Sequence, residues 1–311
     1  MKSAGKAFVL GTRDNFLGLD RKSSSFETSK IIVVPAPYER TVSYGTGTKR
    51  GPAAILHASH FVEFYDEELA RELCFEIGIA TLAPLNFRKK GYAQALKLLY
   101  NAVHALLDQG KFIVTLGGEH TISQGPIAAY KEKYPDLSLL QIDAHSDLRD
   151  SYQGTKYSHA CVMARVCEFL DPTRIVQVGI RAQCLEEAQY IQANGISTFY
   201  AHNIKDGKPT ECWDDDVLSK LTDHVYITFD VDGLDPSIMP STGTPEPNGL
   251  QWAETTQLLR KVGEQKTIVG FDVVEFAPLR GIFYPDLTAA KLAYKLMNYA
   301  FIKELSEYSL A

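Results

Sequence analysis

Short runs of apolar and β-branched residues recur along this chain, separated by longer amphipathic stretches. The short runs fall at residues 31–35, 76–82, 112–116, 137–142, 174–178, 196–200, 224–229 and 267–273. Their length and composition predict buried strands. The amphipathic stretches cover residues 92–107, 122–132, 159–169, 185–193, 254–262 and 288–305. In the first of these, Leu96, Leu99, Tyr100, Val103, Leu106 and Leu107 recur at steps of three and four, the spacing of one helix face. Strands that are apolar on both faces and alternate with helices predict an α/β fold. Its sheet should be mostly parallel, of about eight strands, with helices covering both sides.

Residues 1–28 break this rhythm. They are polar and include Ser23, Ser24 and Ser25, which reads as an N-terminal arm or a loosely docked segment. From 29 to 311 no repeat, low-complexity tract or linker divides the chain, so a single domain is expected there. The Gly/Pro-rich segments at 43–52 and 237–249 lie between elements and read as structured loops.

Composition narrows the partners. The 311 residues carry a net charge of −6, with 45% hydrophobic and 23% charged residues. That balance belongs to an ordinary globular protein and disfavours nucleic acid or an anionic membrane as a partner. Five cysteines without CxxC spacing imply neither a disulfide framework nor a zinc knuckle. No apolar leader or membrane-length run is present in the sequence, so a cytoplasmic location is expected.

Chemistry concentrates where three of the strands end. Gly117-Gly118-Glu119-His120 follows the third run, Asp143-Ala144-His145-Ser146-Asp147 the fourth, and Asp230-Val231-Asp232 the seventh. Alternation along an extended chain lets Asp143, His145 and Asp147 share one side, and likewise Asp230 and Asp232. Open parallel sheets bind ligands beyond the carboxyl ends of their strands, where these segments fall. Any one of these acids alone would read as a solvated loop residue. Together His120, Asp143, His145, Asp147, Asp230 and Asp232 make a ligand set for two divalent ions. The carboxylate-rich donors suit Mn²⁺ best, with Fe²⁺, Co²⁺, Ni²⁺ or Zn²⁺ as alternatives. Two such ions can bring the pKa of a shared water toward neutrality. Four carboxylates, a hydroxide and two divalent ions leave a residual negative charge, which repels phosphoesters and attracts a cation.

These three segments resemble the metal-binding signatures of the ureohydrolases, the arginase and agmatinase family. The similarity extends to Gly51-Pro52-Ala53-Ala54-Ile55, Gln177-Val178-Gly179-Ile180-Arg181, Ser241-Thr242-Gly243-Thr244-Pro245-Glu246 and Asp272-Val273-Val274-Glu275, and so runs from about residue 30 onward. It implies an α/β/α fold and a binuclear Mn²⁺ centre that hydrolyses guanidino compounds to urea and an amine. By the resemblance, His120, Asp143, Asp147 and Asp230 would hold one ion. His145, Asp143, Asp230 and Asp232 would hold the other, with Asp143 and Asp230 bridging. Glu275 would grip the guanidinium, His159 would transfer a proton near the scissile carbon, and Asp147 would accept the proton of the nucleophile. The chain departs from the agmatinase pattern at Ala160-Cys161 and at Ala164.

Tyr157-Ser158-His159 and the segment around Glu275 resemble agmatinases more than arginases, so agmatine is the expected substrate, giving putrescine and urea. Hydrolysis of arginine, 4-guanidinobutyrate or formiminoglutamate is the alternative. A carboxylate on such substrates could be received by Arg149, Lys156 or Arg181. For agmatine, Arg149 is expected to point away or to pair with a neighbouring acid. A non-catalytic homologue is expected to lose metal ligands, whereas all six are present. Family resemblance implies a trimer or hexamer. Asp235, before Pro236, reads as a turn former, and His57, His60, His104, His202 and His224 as non-functional.

Overall fold

The computed structural model describes residues 8–207 and 212–305. Eight strands form one sheet: β1 (Ile31–Ala36), β2 (Ile79–Thr81), β3 (Phe112–Gly117), β4 (Ser138–Ile142), β5 (Ile175–Ile180), β6 (Ser197–Tyr200), β7 (His224–Asp230) and β8 (Thr267–Val274). Their spatial order is β2-β1-β3-β8-β7-β4-β5-β6, and every neighbouring pair runs parallel. The sheet is therefore fully parallel, as strands apolar on both faces require.

Alternation sorts the side chains into two cores. Ile31 and Val33 face one layer with Leu140, Ile142, Ile227 and Phe229. Ile32 and Val34 face the other with Ile113, Leu139 and Tyr226. The helices Gly51–Ser59, Trp252–Gln265 and Tyr284–Ala300 contribute to the first core, and Tyr92–Leu107, Gln124–Lys133 and Val162–Val166 to the second. The result is a three-layer α/β/α architecture. In Tyr92–Leu107, Leu96, Leu99, Val103, Leu106 and Leu107 are all buried.

Several local expectations shift. The run at 76–82 is only partly strand. Leu73–Ile77 makes a helical turn that Gly78 ends at φ +71, leaving three residues for β2. The stretch at 159–169 yields a 3-10 turn at His159–Cys161 and a short helix, Val162–Val166. The stretch at 288–305 begins earlier, with Pro285 near the helix start, and breaks between Ala300 and Ile302. The helices Gly51–Ser59, Ala201–Lys205 and Trp213–Lys220 were not anticipated.

Residues 8–28 of the arm lie against the sheet through their own apolar side chains. Phe16, Leu17 and Leu19 are buried in the first core. The Phe16 N–H donates to Thr81 Oγ1 at 2.9 Å and the Leu17 N–H to Ser59 Oγ at 2.8 Å. The described part of the arm is thus docked rather than loose. No helix among the described residues is long and apolar enough to cross a membrane.

β3, β8, β7 and β4 are adjacent at the centre of the sheet, and their carboxyl ends lead into His120, Glu275, Asp230-Val231-Asp232 and Asp143-Ala144-His145-Ser146-Asp147.

Candidate metal centre

The carboxyl ends of β3, β4 and β7 bring all six expected ligands together. His120 Nδ1 lies 3.2 Å from Asp143 Oδ2, 3.1 Å from Asp147 Oδ2 and 3.5 Å from Asp230 Oδ2. His145 Nδ1 lies 3.0 Å from Asp232 Oδ2 and 3.7 Å from Asp143 Oδ1. Two groups among the described residues could hold a metal ion: His120, Asp143 and Asp147, and Asp143, His145 and Asp232. Asp143 is common to both. Asp230 meets the first group through Oδ2, while its Oδ1 accepts the Asp232 N–H at 2.9 Å.

The backbone that carries these groups is tightly determined. A Cβ on Gly118 would fall 1.8 Å from the Tyr38 carbonyl oxygen, so only glycine lets the 37–41 loop close over the end of β3. Asp147 (φ +54) and Glu275 (φ +61) are both left-handed, a conformation that costs a non-glycine residue about 1–2 kcal/mol. Hydrogen bonds hold each in place. The Asp147 carbonyl accepts from the N–H groups of Met163 and Ala164, and the Glu275 N–H donates to the Gly118 carbonyl at 2.8 Å. Strain sustained by its surroundings at two candidate site residues is an independent pointer to function.

Partners behind the site orient its ligands. Thr228 Oγ1 donates to Asp272 Oδ1 at 2.7 Å, which spends its only proton. Its 2.8 Å contact with His120 Nε2 therefore requires that nitrogen to be the donor. The other Asp272 oxygen accepts from the Tyr226 hydroxyl at 2.8 Å. In the neutral ring this leaves His120 Nδ1 bare, buried and without a hydrogen-bond partner, aimed at three carboxylates. A bare imidazole nitrogen facing carboxylate oxygens is repulsive unless a cation sits between them, so the residues fit a metal ion. Gln141 supports the second group from behind. Its amide donates to Asp143 Oδ2 and the His145 carbonyl, and Gln177 in turn donates to Gln141 Oε1.

The titration behaviour records the same crowding of negative charge. Burial disfavours charge on both histidines, but the carboxylates outweigh it. Asp143, Asp147 and Asp230 hold His120 well above its ordinary range, and Asp232 and Asp143 lift His145 to about 12. Burial and then the charge of Asp143 push Asp147 up to about 7. Asp230 is raised by burial and by Asp232 and Asp143. Each shift marks positive charge, as protons or metal, that the site needs.

Glu275 and His159 border the cluster. Glu275 Oε1 accepts the His120 N–H at 2.6 Å, and burial with the charge of Glu119 raises its pKa well above the usual carboxylate range. His159 lies between Thr41 and Ser43, its ring edge-on to Tyr152, and burial lowers its pKa. Glu246 was missed in the sequence. Its Oε1 is 4.0 Å from His145 Nε2, on the Gly/Pro-rich loop at 237–249. Glu119, Thr228 and Asp272 were missed too, although each sits beside or within a motif.

The remaining sequence candidates have structural partners. Asp235 accepts from the N–H groups of Ser237 and Gly249 within its turn. His224 pairs with Asp136, His104 with Asp108 and Glu132, and His60 Nε2 contacts the Asn15 carbonyl. All five cysteines are free thiols.

This fold and site define a hydrolase of the ureohydrolase class. The arginase family model matches residues 29–300, and the chain belongs to that family. It is 40% identical over 282 residues to the N(1)-aminopropylagmatine ureohydrolase of Synechocystis sp., covering 89% of this chain and 90% of that relative. It is 37% identical over 262 residues to the agmatinase of Bacillus anthracis, covering 82% and 86%. Among solved structures, the agmatine ureohydrolase of Thermoplasma volcanium superimposes with a TM-score of 0.82 at 33% identity, covering 90% of this chain and 94% of that one.

Proposed function

We propose that this chain is a two-metal amidinohydrolase that splits agmatine into urea and putrescine. The observation that carries the substrate choice is the state of the three cations that could have received a substrate carboxylate. Arg149 lies over the Tyr152 ring, with Nε 3.9 Å from the buried Glu187. Arg181 is spent on the main-chain carbonyls of Gly179, Asp232, Gly233, Leu234, Glu246 and Pro247. Lys156 sits over the Tyr157 ring. Glu246, in contrast, offers a half-exposed carboxylate next to His145. A substrate ending in an amine suits these surroundings, and one ending in a carboxylate does not. The second reading is N1-aminopropylagmatine, which would give urea and a triamine. The 40% identity to the Synechocystis enzyme favours it, and both substrates share a guanidinium and a cationic tail.

In this reading two divalent ions, best Mn²⁺, held by His120, Asp143, His145, Asp147, Asp230 and Asp232, would supply Lewis acidity and a nucleophilic water at neutral pH. Glu275, with Oε1 committed to His120, turns Oε2 to the guanidinium and orients its carbon. The guanidinium charge offsets the burial that raises the Glu275 pKa. Asp147 accepts the proton of the attacking water. His159 takes up a proton from solvent and gives it to the departing alkyl nitrogen as the carbon–nitrogen bond breaks. The six metal-competent side chains also weigh against a non-catalytic role. Exposed Leu279, Ile282, Phe283, Tyr284 and Leu287, close together in sequence, support self-association, and sedimentation tests the trimer or hexamer that the family resemblance implies.

The test is urea release from agmatine, N1-aminopropylagmatine, arginine and 4-guanidinobutyrate by the Mn²⁺-loaded protein. kcat/KM should be greatest for one of the two amine-terminated substrates. A preference for 4-guanidinobutyrate or arginine overturns the assignment.

A further inference from the structure

Glu119 and Thr41 lie outside both candidate metal groups, yet both are buried beside the site, and the hydrogen bonds that start at Glu119 end on His159 through Thr41. Glu119 is fully buried, and four donors converge on it. Its Oε2 accepts the backbone N–H groups of Arg40 at 2.5 Å and Thr41 at 2.7 Å. Its Oε1 accepts the hydroxyls of Thr41 at 2.7 Å and Thr121 at 2.8 Å. The hydroxyl of Thr41 therefore has no proton left to give and acts only as an acceptor. It accepts the backbone N–H of His159 at 3.1 Å and also lies 3.4 Å from His159 Nδ1.

We infer that Thr41, locked by Glu119, is a positioning residue that fixes His159 as the Nδ1–H tautomer and leaves Nε2 as the nitrogen that exchanges protons. A hydroxyl that only accepts can satisfy Nδ1 in one way, with the ring proton on Nδ1. Nε2 is then bare, and Ser43 Oγ, 3.4 Å away, is free to donate to it. Ser158 Oγ, 3.5 Å from Nδ1, is a free rotor compatible with the same arrangement. This is the logic of a proton-transfer histidine oriented by a third group, built from a threonine and a buried glutamate on two different loops. It also explains why the 37–41 loop must close over Gly118, since that closure brings Thr41 to both partners. The inference rests on the reading of His159 as the proton donor, and its test separates the two.

The Mn²⁺-loaded wild type, Thr41→Val, Thr41→Ser, His159→Asn and the Thr41→Val/His159→Asn double variant are compared on agmatine and N1-aminopropylagmatine. Thr41→Val should lower kcat about 10–100-fold, within the 10²–10⁴-fold that an acid–base group supplies, with KM and metal content little changed. Thr41→Ser should restore most of the loss. In the His159→Asn background, Thr41→Val should cost nothing further. Independently of activity, 15N-histidine spectra of the metal-free wild type should show the His159 resonances, identified by their loss in His159→Asn, as the Nδ1–H form. An Nε2–H form in the wild type, or a full additional loss in the double variant, overturns the inference. If His159→Asn lowers kcat while Thr41→Val does not, only the positioning role fails. If His159→Asn leaves kcat unchanged, the reading of His159 fails instead.

Discussion

The His120 N–H donates to Glu275 Oε1 across 2.6 Å, tying the loop after β3 to the loop after β8. One oxygen of Glu275 is thereby fixed to the backbone of a metal-competent residue, and in the proposed reading the other receives the guanidinium. Because the bond comes from main chain, it survives in Glu275→Gln, which keeps the shape and loses the charge. That variant should retain its metal and lose about 2–5 kcal/mol of transition-state binding, the range for breaking a buried charge pair. Steady-state kinetics with parallel metal analysis reads both, and an unchanged kcat/KM contradicts the guanidinium role.

The chain from His120 Nε2 through Thr228 to Asp272 makes a separate prediction. Thr228→Val and Asp272→Asn should each weaken Mn²⁺ binding about 10–100-fold by releasing the tautomer of His120. Because they act in series, the double variant should be little worse than either single one. Competition against a chelating dye measures this. Wild-type affinity in both single variants contradicts it.

Metal loading should depend on pH in a definite direction. His145 is held at about 12 and His120 well above its ordinary value in the metal-free chain, so both rings carry protons near neutrality. A ligand imidazole must give that proton up. Binding should therefore release about one proton or more per chain at pH 7, tighten as pH rises and weaken as it falls. Calorimetry in buffers of different ionisation enthalpy counts the protons, and a heat independent of buffer contradicts the prediction.

Glu246 should act on selectivity more than on rate. With its side chain 39% exposed, its attraction for a cationic tail is worth about 0.2–1 kcal/mol. Glu246→Gln should lower kcat/KM for amine-terminated substrates a few-fold relative to 4-guanidinobutyrate, with kcat nearly kept. Competition between the two substrates checks this, and an opposite shift would remove Glu246 from the rim.

What was legible in the sequence follows the range of each signal. Strands such as β1 and β7 were readable as short apolar runs because both their faces are buried, and the helix Tyr92–Leu107 because burial of one face imposes a helical period. The 76–82 run was misread in part because a short apolar run looks alike as strand or helical turn, and only Gly78 marks the change. The helix Gly51–Ser59 hid behind its Gly51-Pro52 start, which also reads as a turn. Ligands at strand ends stood out because they interrupt apolar runs. Thr41, separated from Glu119 by 78 residues, and Thr228, separated from Asp272 by 44, left no such mark. Their roles come from loops and strands that meet only in the folded sheet. The expectation that Arg149 points away or pairs with a neighbouring acid followed a charge argument, and the structure sets its Nε 3.9 Å from Glu187.

In the proposed reading one carboxylate-rich site holds two metal ions and needs them for chemistry. Elemental analysis after Mn²⁺ loading, with urea release assayed on the same sample before and after chelation, tests it most directly. About two ions per chain are expected, with urea release that disappears on chelation and returns on reloading. Full urea release from the metal-free chain would contradict it.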